Sequence, residues 1–186
     1  MKQSKINNPF VKLSTVFIMA VLLMAGCSES PLDTNFEEPQ SQLLTRSAAS
    51  KAAVQTANEE FFVEQVISAA EGGTLNLLDV TLEIPAGAVP NDTAFSINIP
   101  DLNVFYNEFG TSGLVFDKPV KVTMSYRGAD LTNILEPTIR IAYYNEATGT
   151  FEDIEGQIDM VNKTITAELY HFSAYGLISD MRPTSY

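Results

Sequence analysis

Val80-Thr81-Leu82-Glu83-Ile84-Pro85-Ala86-Gly87-Ala88-Val89-Pro90 is the stretch that decides the fold. Its first five residues alternate apolar and polar, so a strand built from them buries one face and wets the other. Pro85 ends that strand, and Gly87 is free to take the left-handed conformation that a tight turn needs. Working outward, the same alternation returns in Phe95-Ser96-Ile97-Asn98-Ile99, in Val120-Lys121-Val122-Thr123-Met124-Ser125-Tyr126 and in Thr138-Ile139-Arg140-Ile141-Ala142-Tyr143-Tyr144. Asn145-Glu146-Ala147-Thr148-Gly149 reads as a hairpin loop, and Val161-Asn162-Lys163 as a second one before Thr164-Ile165-Thr166-Ala167-Glu168-Leu169. Gly72-Gly73 and Asp117-Lys118-Pro119 read as turns between strands. Pro85, Pro90, Pro100, Pro119 and Pro137 are expected at strand edges, where a missing N–H costs least. Short strands at this spacing predict an all-β fold, an antiparallel β-sandwich over residues 61–186.

Residues 1–60 have a different character. Lys2 and Lys5 open the chain, an apolar run follows over residues 14–26, and small residues Ala25-Gly26 stand directly before Cys27, the single cysteine. A basic start and a short apolar core mark a secretory signal over residues 1–26. The Ala25-Gly26-Cys27 step resembles a bacterial lipobox. That resemblance implies cleavage before Cys27 and a diacylglyceryl group on its sulfur, hence anchorage in a membrane of the bacterial cell envelope, facing the periplasm or the cell surface. Residues 27–60, rich in Ser, Pro, Glu and Gln and without apolar periodicity, predict a flexible tether. Within it the Ala-rich residues Ser47-Ala48-Ala49-Ser50-Lys51-Ala52-Ala53-Val54 favour transient helix.

The charge narrows the partners. All three basic residues of the leader (Lys2, Lys5, Lys12) leave with it, so 8 basic and 23 acidic side chains remain, a formal net charge of −15. Such a chain has no electrostatic footprint for nucleic acid. Its expected partners are the membrane, through the lipid on Cys27, and a protein or other envelope component. With no cysteine pair, stability must come from a core.

Glu71-Gly72-Gly73-Thr74-Leu75 followed by Val80 to Pro90 is similar to the opening of a ZU-five domain, the β-sandwich module of ankyrins and netrin receptors. Leu114-Val115-Phe116-Asp117-Lys118-Pro119-Val120-Lys121-Val122 resembles that family's middle strands, and Tyr170-His171-Phe172-Ser173-Ala174-Tyr175-Gly176-Leu177 its closing strand. The likeness covers roughly residues 65–180; the tryptophan that family members often carry near Thr150-Phe151-Glu152 is missing.

The resemblance also implies one chemical option. Some domains of this type cleave themselves at a His-Phe-Ser step. Carried over, Ser173 would attack the carbonyl of Phe172 and His171 would take its proton. Uninterrupted alternation would put Ile165, Ala167, Leu169, His171, Ser173, Tyr175 and Leu177 on one face, with no kink to bend the Phe172 carbonyl toward the serine. The expectation is therefore an intact, non-catalytic interaction or structural module, with no cofactor and no metal. Two weaker options accompany it: calcium held by Glu152, Asp153, Glu155 and Asp159, and a sugar-stacking platform of Tyr106, Tyr143 and Tyr144.

Overall fold

The computed structural model describes residues 41–57 and 61–182. Twelve strands form two antiparallel sheets packed face to face as an all-β sandwich. The first sheet carries β2 (Phe62–Ile67), β5 (Thr93–Asn98), β6 (Tyr106–Gly110), β12 (Ala174–Asp180), β8 (Arg140–Asn145) and β9 (Thr150–Asp153) in that order, with β1 (Ser41–Leu43) also on β12. The second runs β10 (Gly156–Asp159), β11 (Thr164–His171), β7 (Val115–Ser125), β4 (Val80–Ile84) and β3 (Gly73–Leu77).

The alternation read from sequence sets the core. Val80, Leu82 and Ile84 of β4 join Val120, Val122 and Met124 of β7 and Ile165, Ala167 and Leu169 of β11 in one inner layer. Phe95 and Ile97, Phe109, Ile141, Tyr175 and Leu177 supply the opposing layer from the other sheet. Both predicted hairpins form. Gly149, at φ 70°, closes the β8–β9 turn with its N–H on the Asn145 carbonyl (2.8 Å). Asp159 holds the β10–β11 turn by accepting from the N–H groups of Val161 and Asn162, each at 2.9 Å. Gly72 passes the chain from one sheet to the other at φ 72°, and a Cβ there would collide with the Ile84 carbonyl oxygen.

Three expectations are corrected. The first concerns the tether, expected over residues 27–60 with the domain starting at 61. Residues 41–46 join the sandwich instead, and a short helix follows them. β1 pairs with the end of β12 (Ser41 opposite Asp180, Leu43 opposite Ile178), and Leu44 is wholly buried behind it. Arg46 is buried beyond, ion-paired to Asp79 in the β3–β4 turn and stacked 4.2 Å over the Phe105 ring. Helix α1 (Ala48–Ala57) follows, started by Ser47, whose hydroxyl accepts the Ser50 N–H at 3.2 Å. Three residues are too few to carry a periodic signal, and β12 supplies the ladder that makes β1 a strand. Residues 27–40 of the expected tether, the leader 1–26 and Cys27 lie outside the described residues.

The second correction concerns Asp117-Lys118-Pro119, which lies inside β7, not in a turn. Pairing with β4 ends at Lys121, so β7 has already left that neighbour where Pro119 stands, and the missing N–H is tolerated. The third concerns the face shared by Leu169, His171 and Ser173. The β7–β11 register slips between Leu169 and His171, and the chain then crosses from one sheet to the other. Phe172 takes the inward place that the simple alternation assigned to its neighbours.

Candidate functional site

The crossing between β11 and β12 places the His-Phe-Ser step at the rim of the sandwich. Phe172 is the hub of an aromatic cluster, with ring centroids 4.7 Å from Phe116, 5.4 Å from Phe95 and 5.7 Å from Phe109. Its backbone is held on both sides. The Phe172 N–H donates to the Leu114 carbonyl (2.9 Å), and its own carbonyl accepts from the Gly113 N–H (3.0 Å). The Ser173 carbonyl accepts from the Phe109 N–H at 2.9 Å.

His171 points elsewhere. Its ring meets Tyr143 edge-on at 5.2 Å, and its Nδ1 lies 3.5 Å from the Tyr175 hydroxyl. That hydroxyl donates to the His171 carbonyl at 2.8 Å, and burial pushes the Tyr175 phenol well above its ordinary range, so it stays a neutral donor. Among the described residues no hydrogen bond joins His171 to Ser173. A cleft of about 310 Å³ opens here, lined by Ser112, Gly113, Tyr143, Glu146, His171 and Ser173. The chain thus bends at the step and gives the Phe172 carbonyl one backbone donor, the kind of contact that steadies a developing oxyanion. It does not bring a base to the serine.

The acidic residues of the calcium option go to separate tasks. Asp153 pairs with Arg140 (2.7 Å), Glu152 accepts from the Asn145 amide (2.7 Å), and Asp159 holds its own turn. The Asn162 backbone N–H is the largest cause that holds the Asp159 carboxyl below its usual range. Among the described residues no group of three or more His, Cys, Asp or Glu converges as a metal site.

The tyrosines divide between faces, as successive residues of a strand must. Tyr143 turns inward to His171 and Tyr175, so it leaves the expected platform. Tyr144 and Tyr106 turn outward and meet at 6.3 Å. The β8–β9 register sets Phe151 opposite Tyr144, and its ring completes the group at 5.2 Å from Tyr144 and 6.5 Å from Tyr106. Sequence reasoning missed Phe151, although the hairpin loop at residues 145–149 fixes the register that brings it there. Gly176 lies beneath, where a Cβ would come within 3.1 Å of the Phe151 ring and 2.6 Å of Leu43. Beside the rings runs a groove of about 650 Å³ floored by Leu43, Phe151 and Ile178 and rimmed by Arg140, Glu152 and Asp153.

No helix among the described residues is long and apolar enough to cross a membrane. No protein-family model matches the chain, and no curated protein is similar enough to it to count as a relative.

Proposed function

We propose that the chain is a lipid-anchored protein of the bacterial cell envelope whose sandwich, of ZU-five type, acts as a non-catalytic interaction module. The orientation of His171 carries the non-catalytic reading. The only histidine of the chain faces Tyr143 and Tyr175 and makes no hydrogen bond to Ser173 among the described residues. The anchor rests on Ala25-Gly26-Cys27. Ser41, the first described residue of the sandwich, follows Cys27 by 14 residues (41 − 27). At roughly 3.3–3.6 Å per residue that reach is at most about 50 Å, which keeps the module close to the bilayer. The excess of acid argues against nucleic acid and supports a protein or other envelope component as the partner.

A second reading, self-cleavage between Phe172 and Ser173, draws on one observation: the chain bends at this step, and the Gly113 N–H already sits on the carbonyl to be attacked. Intact mass measurement of the protein extracted from membranes tests both readings. The expected result is one chain beginning at an acylated Cys27. An unmodified N-terminus would refute the anchor. A separate fragment of 14 residues beginning at Ser173 and ending at Tyr186 would replace the non-catalytic reading with the second one.

A further inference from the structure

We infer that the outer face of the larger sheet, around Tyr106, Tyr144 and Phe151, binds a neutral oligosaccharide. This goes beyond an unspecified interaction module and does not depend on the lipid at Cys27.

Three features of the face point to that ligand class. The first is ring geometry. Tyr106 and Tyr144 meet at 79°, and Tyr144 and Phe151 at 56°. Rings in such edge-to-face and tilted contact support one another as a single faceted apolar patch, and a ligand rests on the ring faces that the contacts leave open. Pyranose rings present C–H faces that rest on aromatic carbon, with hydroxyls around the perimeter. The phenols of Tyr106 and Tyr144 make no hydrogen bond to protein among the described residues, so both remain available to those hydroxyls.

The second feature is shape. The adjoining groove has an apolar floor and a few polar groups at its rim, the usual construction of a small-ligand site, and about 650 Å³ is room for more than one sugar residue. Small residues beneath let Leu43 and Phe151 settle close to the sheet. Gly176 and Ala142 lie at the middle of the face, and Ala142 is wholly buried under the outward side chains.

The third feature is charge. Glu108 and Glu146 stand near the Tyr106 phenol and help burial to raise its pKa. Glu152 and Asp153 edge the groove. The one cation lining it, Arg140, is already matched by Asp153 (2.7 Å) and Asp180 (3.0 Å). Carboxylates with no spare cation accept hydrogen bonds from hydroxyls and repel anions. The occupant is therefore neutral and rich in hydroxyl donors, which sets aside uronic-acid polymers and phosphorylated ligands.

The test uses the full mature chain, titrated with cellohexaose, xylohexaose, mannohexaose and maltohexaose, and with hexagalacturonic acid as the anionic counterpart. Calorimetry measures affinity, and NMR shift mapping on the wild type locates the site. At least one neutral hexasaccharide is expected to bind, with shifts centred on Tyr106, Tyr144 and Phe151. Tyr144→Ala is expected to weaken binding about tenfold or more, the size of one lost ring contact. Tyr170→Ala, on the exposed face of the other sheet, should leave affinity unchanged. Binding by none of the neutral sugars, tighter binding of hexagalacturonic acid, or shifts centred elsewhere would each overturn the inference. The wild-type map decides the matter even if Tyr144→Ala disturbs the fold.

Discussion

Phe172 and Ser173 are neighbours in the chain but have unequal weight in the fold. Phe172 touches three other phenylalanines at the seam of the two sheets, so truncation to Ala opens a cavity that the surrounding rings cannot close. Phe172→Ala should lower the unfolding free energy by about 3–5 kcal/mol in urea titrations. Ser173→Ala should change it by less than about 1 kcal/mol. Arg46 and Asp79 show another asymmetry. The Arg46 side chain is 2% exposed and Asp79 24%. Removing the acid strands a buried guanidinium, whereas removing the arginine leaves a carboxylate that water reaches. Asp79→Ala is therefore expected to cost about 3 kcal/mol or more, and Arg46→Met distinctly less; the reverse order in the same assay would refute this asymmetry. Glu136 adds a pH dependence. It accepts from Lys163 (2.5 Å) and from the Tyr126 hydroxyl (3.0 Å), and these bonds, Lys163 first, hold its carboxyl below the ordinary 4.5. A depressed folded-state pKa means a stabilisation that is complete above about pH 4.5 and disappears as pH falls through the lower folded value. Stability measured at pH 7 and again near pH 3 should therefore fall less for Glu136→Gln than for the wild type.

At the scale of elements, β1 matters out of proportion to its three residues. It completes the ladder on β12 and draws Leu44 and Arg46 into the core. A chain beginning at residue 61 is therefore expected to melt well below one beginning at residue 37, and hydrogen exchange should find the amide of Leu44, bonded to the Leu177 carbonyl at 2.7 Å, among the protected ones. Equal melting temperatures would show the strand to be dispensable. The same element marks where the sequence stops being legible. β4, β5 and β8 announce themselves because a period of two, sustained along a strand's length, is the imprint of one buried and one wetted face. Ser41-Gln42-Leu43 has no period to read and becomes a strand only through β12, at the far end of the chain. The slip between Leu169 and His171 was hidden for a related reason. Strand alternation is a local rule, and passing between sheets is a tertiary event. Of the candidate residues, the alternation of Ile139, Ile141 and Tyr143 already separates Tyr143 from Tyr144, whereas the meeting of Tyr106 with Tyr144 depends on the order of strands in the sheet. Phe151 needed the register of the hairpin.

For the whole molecule, the order of strands in space departs from their order in the chain. β12 is the last strand among the described residues, yet it lies at the middle of the larger sheet, with β6 and β1 on its run as well as β8. Removing residues 173–186 would take out the strand that joins these three, and such a chain is expected to show no cooperative unfolding transition by circular dichroism.

That position has a consequence for how the molecule comes into being. Until β12 is made, β6 has only β5 beside it and β8 only β9, and these two pairs stay unjoined. A chain made only as far as β9 lacks the strand that joins those pairs, and the ladder from β12 back to β1 sets Ser41 opposite Asp180, a long-range pairing of the kind that slows folding. The larger sheet is therefore completed only when β12, its central strand, takes its place.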